Sequence, residues 1–217
     1  MATSARVVTE RSAEHRFYAG MTLAIFAVVY VGFARSFFLR PWFPEFPVPP
    51  ERFFLLHGLV FAAWVVLLLV QPLLVAAGRS DLHRRLGKLG VILALGVVLS
   101  GVYGALLAAG RPGGFIGVPV PPAAFLAVPL FDILMFAAFV TLALRAVRQP
   151  QAHKRWMLLA AMTMLTAAFA RWPGDPLGRI GIFGVFALGD AFLLPLAAWD
   201  LRSRGRLHPV TLWGGLA

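Results

Sequence analysis

Long apolar stretches alternate with short polar connections along the whole chain. A transmembrane helix needs about 20 mostly apolar residues to cross a bilayer, and six stretches are of this kind. They cover residues 17–39, 53–77, 86–109, 123–147, 156–172 and 180–201. The pattern therefore predicts an all-α membrane protein, a bundle of about six transmembrane helices that forms a single domain over residues 1–217. Residues 1–16 and 202–217 are predicted to lie outside the membrane.

The connections between these stretches are rich in Pro and Gly, which end helices and form turns. Five prolines lie between residues 41 and 50, and further Pro and Gly residues occupy 110–122 and 172–176. The apolar run that follows the first sixteen residues is longer than the core of a signal peptide. We interpret it as an uncleaved first helix.

Lys and Arg are distributed unequally between the two sides that this alternation defines. The N-terminal segment, the second connection, the fourth connection and the C-terminal tail hold three, four, four and three of them, whereas the opposite side holds six in total. Cytoplasmic loops are enriched in Lys and Arg. This bias places both termini in the cytoplasm and predicts a multi-pass protein of the bacterial cytoplasmic membrane.

The composition agrees with this interpretation. Hydrophobic residues make up 60% of the chain and charged residues 13%, and the net charge is +11. A soluble domain needs a more polar surface. The basic residues lie in short clusters between apolar runs, which favours contact with anionic lipid over nucleic acid. The chain has no Cys, which excludes disulfides and Cys-ligated zinc or iron–sulfur clusters.

The second stretch carries His57, Trp64 and Gln71 at intervals of seven residues. Two helical turns return close to the same face, so these side chains form one stripe, which we expect to face the bundle. The stripe is either a ligand or proton site near the outer leaflet or a hydrogen-bonded seam that fixes helix packing.

Two carboxylates, Asp132 and Asp190, lie near the middle of the fourth and sixth stretches. An ionised carboxylate at that depth is costly unless it is paired or protonated, and His57 and Arg171 are the possible partners. Pro129 and Pro195 lie close by, and a Pro within a membrane helix frees a carbonyl and bends the helix. The arrangement suits a cation or proton site, and it also suits a purely structural role.

Two further histidines, His83 and His153, lie at the basic ends of the third and fifth stretches. Neutral imidazoles are common heme and metal ligands, and the neighbouring Arg84 and Arg155 could neutralise heme propionates or bind lipid phosphates. Alternatively, these residues anchor helix ends at the headgroups. No phosphate-binding loop, nucleophile elbow or zinc helix is present, so the sequence assigns no enzymatic reaction, catalytic residue or metal.

The order of these motifs resembles a bacterial family of small multi-pass membrane proteins, a domain of unknown function. The resemblance covers roughly residues 53–172, and its motifs are His-Arg-Arg-Leu-Gly and His-Lys-Arg-Trp-Met, preceded by His-Gly and followed by a distant Arg. The matching positions are His57, His83, Arg84, Gly87, His153, Trp156, Met157 and Arg171. Leu158 and Leu159 depart from the family, which often has polar or basic residues there. The resemblance implies a role for the histidines and no particular activity.

Three functions remain open from the sequence. The first is a heme b-binding electron-transfer protein with a redox partner, in which His83 and His153 are the axial pair and His57 an outer ligand. A likeness to b-type transmembrane cytochromes in bundle size and His placement is an analogy only. The second is a small-solute, ion or proton-coupled transporter that uses Asp132 and Asp190, with Gln71 and Arg171 also lining its path. The third is a non-catalytic membrane scaffold. The oligomeric state is not indicated.

Overall fold

The computed structural model of the protein describes residues 2–217 and the side chains from residue 12 onward. Over these residues the chain is helical and contains no strand. The helices are α1 (Ala2–Phe33), α2 (Phe53–Ala76), α3 (Ser80–Ala109), α4 (Pro122–Phe125), α5 (Ala127–Arg145), α6 (Pro150–Met162), α7 (Leu165–Phe169), α8 (Pro176–Asp190), α9 (Leu193–Arg204) and α10 (Pro209–Gly215).

Five segments are long and apolar enough to cross a membrane, which confirms the predicted membrane fold. They are Ser12–Phe38, Phe53–Ala76, Ser80–Ala109, Pro122–Arg145 and Pro176–Arg204. The predicted fifth span differs from the others, because two short helices, α6 and α7, form it in place of one continuous helix.

The pair α6–α7 lies at the centre of the bundle and contacts α1, α5, α8 and α10. Ala160, Ala161, Leu165 and Ala168 are fully buried. The packing is close, because a Cβ added to Gly32 of α1 would lie 2.8 Å from the carbonyl carbon of Ala168, and small residues permit such an approach. Neighbouring helices thus shield α6–α7 from lipid, so this span does not need a long apolar surface of its own.

Proline explains two of the helix interruptions. Pro195 lies four residues after Ala191, at the break between α8 and α9, and Pro129 lies four residues after Phe125, where α4 ends. A Pro ring clashes with the carbonyl four residues earlier and donates no hydrogen bond to it. The helices that contain Asp132 and Asp190 are therefore interrupted near both prolines, as predicted.

Contacts between side chains show which segments share an end of the bundle. Lys154 of α6 pairs with Glu14 of α1, His153 of α6 faces His83 of α3, and α10 packs against α6. The N-terminal segment, the second and fourth connections and the tail thus lie together, as the charge pattern predicted. We refer to this end as the basic end.

The opposite end is held together by arginines. Arg35 donates to the backbone carbonyls of Arg171 at 3.0 Å and Trp172 at 3.3 Å. Arg111 forms a two-pronged ion pair with Glu51, with distances of 3.0 and 2.8 Å. The first contact joins the π-helical segment that follows α1 (Ala34–Phe38) to the residues just after α7, and the second joins the first connection to the third.

Candidate functional site

A cluster of Gln71, His83 and His153 lies at the basic end, where α2 ends and α3 and α6 begin. The two imidazole ring centroids are 6.4 Å apart and the ring planes are perpendicular. All three side chains are half-buried. The structure thus brings together the two histidines that the sequence predicted to be close.

The hydrogen-bond partners of the two imidazoles select opposite tautomers. With the Gln71 amide oriented so that its oxygen accepts from the N–H of Gly87, its nitrogen donates to Nδ1 of His83 at 2.5 Å. Nδ1 of His153 donates to the carbonyl of Ala143 at 2.8 Å. In the neutral rings, Nε2 of His83 therefore carries a proton and Nε2 of His153 carries a lone pair. This arrangement suits proton transfer, whereas a metal held between two imidazoles needs a lone pair on each.

The two flanking arginines have different environments. Arg84 is exposed on α3, whereas Arg155 of α6 is fully buried. The guanidinium of Arg155 donates to Asp200 of α9, at 3.0 Å from Nε, and to the carbonyl and the amide oxygen of Gln151 at 2.7 and 2.8 Å. The donors of Arg155 are thus committed to protein acceptors within the basic end.

The carboxylate of Asp200 is the centre of this buried network, and sequence reasoning missed it. Besides Arg155, it accepts from Thr211 Oγ1 at 2.6 Å and from the backbone N–H of His208 at 3.0 Å. The network fastens the tail to α6, because His208 and Thr211 lie at the start of α10. A lone Asp at the end of an otherwise apolar span was the available signal, but its partner Arg155 lies 45 residues away in the chain.

His57 lies far from this cluster. It precedes Gln71 by fourteen residues on α2, which is about 21 Å of helix, and its ring centroid is 4.3 Å from that of Phe61. Its Nδ1 and the hydroxyl of Ser100 on α3 are buried without a partner among the described residues. Trp64, between them on the stripe, is buried against Phe136 of α5. The stripe therefore faces the bundle, as predicted, but His57 does not join the other two histidines.

Asp132 lines a cavity of about 360 Å³ between α5 and α8, whose other wall includes Phe186. Apolar side chains form most of the lining, and Asp132 is half-buried there. Asp190 follows Phe186 by four residues, which places it one turn further along the same face of α8. Asp132 thus lines the groove, and the exposed side chain of Asp190 lies one helical turn beyond Phe186 at its edge. We refer to Asp132 and Asp190 together as the groove carboxylates.

Neither groove carboxylate has a basic partner among the described residues. No Lys, Arg or His nitrogen of that part of the chain lies within 4 Å of Asp132 or Asp190. The expected pairing with His57 or Arg171 is therefore not formed. The guanidinium of Arg171 donates to the carbonyl of Ala167 at 2.8 Å and lies 5.1 Å from the ring centroid of Phe33.

Among the described residues, no three His, Asp or Glu side chains are grouped so that they could hold a metal ion. Comparison of the chain with protein-family models, curated proteins and solved structures gives no match to any of them.

Proposed function

We propose that this chain is a transporter that carries protons across the bacterial cytoplasmic membrane. The observation that carries the proposal is the groove between α5 and α8, which Asp132 lines, with Asp190 one helical turn beyond its edge. Neither carboxylate has a basic partner within 4 Å in the described part of the chain. Carboxylates at membrane depth commonly mark ion pathways and proton relays.

Two helix interruptions next to each other support this proposal. A Cβ added to Gly189, at the end of α8, would lie 3.4 Å from the hydroxyl of Thr166 at the start of α7. The break between α6 and α7 and the break between α8 and α9 therefore lie side by side, next to Asp190. Many secondary transporters build their substrate and ion sites from such discontinuous helices, because irregular backbone is tolerated at that depth only inside protein or along a cavity.

The histidine pair fits the same function. Nε2 of His83 is a donor and Nε2 of His153 an acceptor, so the pair can pass a proton at the basic end. The positive-inside bias places this end in the cytoplasm.

Proton uptake by reconstituted vesicles tests the proposal. Wild-type protein in vesicles that contain a pH-sensitive dye should take up protons when a potassium gradient and valinomycin impose an inside-negative potential. The double variant Asp132→Asn, Asp190→Asn should abolish the uptake and still elute as a monodisperse species in detergent. Asp81→Asn is the matched control, because Asp81 is an exposed carboxylate at the start of α3. Unchanged uptake in the double variant would rule the proposal out.

A second function, electron transfer through heme b, is favoured by one distance. Two Fe–N bonds of about 2 Å each, together with the ring radii, separate two axial imidazole centroids by roughly the 6.4 Å seen between His83 and His153. Heme binding would require the Gln71 amide to turn, so that Nδ1 of His83 donates to it and Nε2 is left with a lone pair.

The visible spectrum decides this second function. Protein expressed with ample heme should show a Soret band that sharpens and shifts on reduction, and His83→Ala or His153→Ala should remove it, whereas His57→Ala should not. A featureless spectrum removes the heme function. Negative results in both experiments would leave the non-catalytic scaffold.

A further inference from the structure

A second groove opens at the basic end, apart from the two carboxylates and the histidine pair. It has a volume of about 570 Å³ and lies between the end of α5, the start of α6 and the turn that joins α9 to α10. Arg145, Arg204 and Arg206 line it, together with Gln149, Trp156 and His208. Three arginines from two separate parts of the chain thus line one open groove.

The positive charge of this groove is not neutralised by described carboxylates. No carboxylate of the residues whose side chains are described lies within 4 Å of Arg145, Arg204 or Arg206. Asp200 is close in sequence to Arg204, but its carboxylate is fully buried and accepts hydrogen bonds from Arg155 and from Thr211 of α10. Like charges gathered without counter-charges favour an anionic ligand, because the ligand relieves their mutual repulsion.

The arginine-bearing turn is held in place by the protein. Gly205, between Arg204 and Arg206, ends α9 in the left-handed conformation at φ 69°, which Gly adopts without steric cost. The residues that follow the turn are also held in place, since the carboxylate of Asp200 accepts hydrogen bonds from the backbone N–H of His208 and from the hydroxyl of Thr211. A fixed backbone at Arg204 and Arg206 lowers the conformational entropy that is lost when their guanidinium groups bind phosphate oxygens.

His208 adds a neutral donor. Its Nδ1 accepts from the N–H of Val210 at 3.1 Å, so the proton of the neutral ring lies on Nε2. Burial and the nearby charge of Arg155 lower the pKa of His208 below its usual 6.5, which keeps the ring neutral at pH 7. The groove therefore offers charged and neutral donors together.

The walls of the groove are apolar on one side, where Leu142, Ala146 and Val210 contribute. Trp213 and Leu216, at the end of α10, are largely exposed apolar side chains, as expected for a short helix at the membrane interface. Acyl chains can follow such a wall while the headgroup meets the arginines.

We propose that Arg145, Arg204 and Arg206 form a binding site for a phosphate-bearing anion at the basic end of the bundle. The phosphate can belong to an anionic lipid headgroup or to a small soluble phosphate, and the two sources share the same recognition. The site is separate from the proposed transport groove and does not depend on it.

Thermal unfolding of the purified protein in detergent tests the site with defined probes. One arm adds phosphatidylglycerol, a second adds phosphatidylcholine, and a third adds millimolar inorganic phosphate. Phosphatidylglycerol or inorganic phosphate should raise the unfolding temperature by roughly 5 °C at saturation, and phosphatidylcholine should not. A response to the lipid alone assigns the site to a headgroup, and an equal response to inorganic phosphate assigns it to a soluble ligand.

Arginine variants connect the response to this groove. Arg145→Gln alone, at an exposed position, should weaken lipid binding roughly tenfold, measured as lipid retention by native mass spectrometry. The triple variant that adds Arg204→Gln and Arg206→Gln should lose the response.

The matched control is Arg79→Gln, Arg85→Gln, Lys88→Gln, which removes the same charge from exposed positions of the basic end outside the groove. It should respond like the wild type. An equal loss of binding in the triple variant and the control, or no response to either anion in the wild type, would overturn the proposal.

Discussion

Asp200 and the groove carboxylates show two ways in which this protein treats acidic groups in apolar surroundings. Asp200 is fully buried and accepts from Arg155, Thr211 and the backbone of His208. Asp132 lies on an apolar groove and Asp190 lies exposed one helical turn beyond it, with no described basic nitrogen within 4 Å of either.

The difference in hydrogen-bond partners distinguishes a carboxylate that stabilises the fold from carboxylates that are available for function. A buried polar network whose members are all hydrogen-bonded rigidifies a fold, and the network at Asp200 fastens the tail to the central helix α6. A carboxylate without such partners contributes nothing comparable to packing. The presence of Asp132 on a groove and of Asp190 next to two helix breaks is explained if these carboxylates bind a proton or a cation.

The largest expected effect comes from breaking the buried network. Arg155→Ala leaves Asp200 as an uncompensated buried charge, so we expect a loss of about 3–5 kcal/mol of unfolding free energy. Circular dichroism during thermal unfolding in detergent measures it. Arg155→Met with Asp200→Leu should recover most of the loss, because it removes both charges and keeps the volume. An Arg155→Ala variant as stable as the wild type would show that the network does not hold the tail.

A smaller effect on stability is expected in the transport groove. Asp132→Asn and Asp190→Asn keep the side-chain shape and remove a charge that has no basic partner in the described structure. Each should change the unfolding free energy by less than about 1 kcal/mol, or raise it. The same unfolding assay applies. A loss of unfolding free energy as large as that of Arg155→Ala would show that these carboxylates stabilise the fold and would contradict a role for them in function.

The smallest expected effect is on the pH dependence of stability, and it concerns the ion pair between Glu51 and Arg111 near the surface. The hydrogen bonds from Arg111 lower the pKa of Glu51 below its ordinary 4.5. The ion pair therefore stabilises the folded state fully above about pH 4.5 and loses this contribution as the pH falls through the lower pKa of the folded state. The difference in unfolding temperature between wild type and Glu51→Gln should shrink over that range, and a difference that grows on acidification would contradict this account.

Much of the fold follows from the sequence alone. Apolar length predicted the spans, and the distribution of Lys and Arg predicted which segments meet at one end. The spacing of Pro129 and Pro195 predicted the helix interruptions beside the two acids, because a Pro acts locally on the carbonyl four residues earlier.

Other features depend on packing that one-dimensional patterns do not contain. The division of the fifth span into α6 and α7 is tolerated because neighbouring helices cover Ala160 and Ala168. The partnership of Arg155 with Asp200 joins distant positions, and the tautomers of His83 and His153 follow from backbone and amide groups that only the fold brings near. The possible pairing of Asp132 or Asp190 with His57 or Arg171, which the sequence suggested, is not formed among the described residues.

The rate of proton uptake into reconstituted vesicles, measured in parallel for two double variants, tests the central claim most directly. Asp132→Asn with Asp190→Asn should lose uptake and keep its unfolding temperature, whereas Arg155→Met with Asp200→Leu should keep uptake. Uptake that persists in the first variant and disappears in the second would show that the buried network, and not the groove, carries the function.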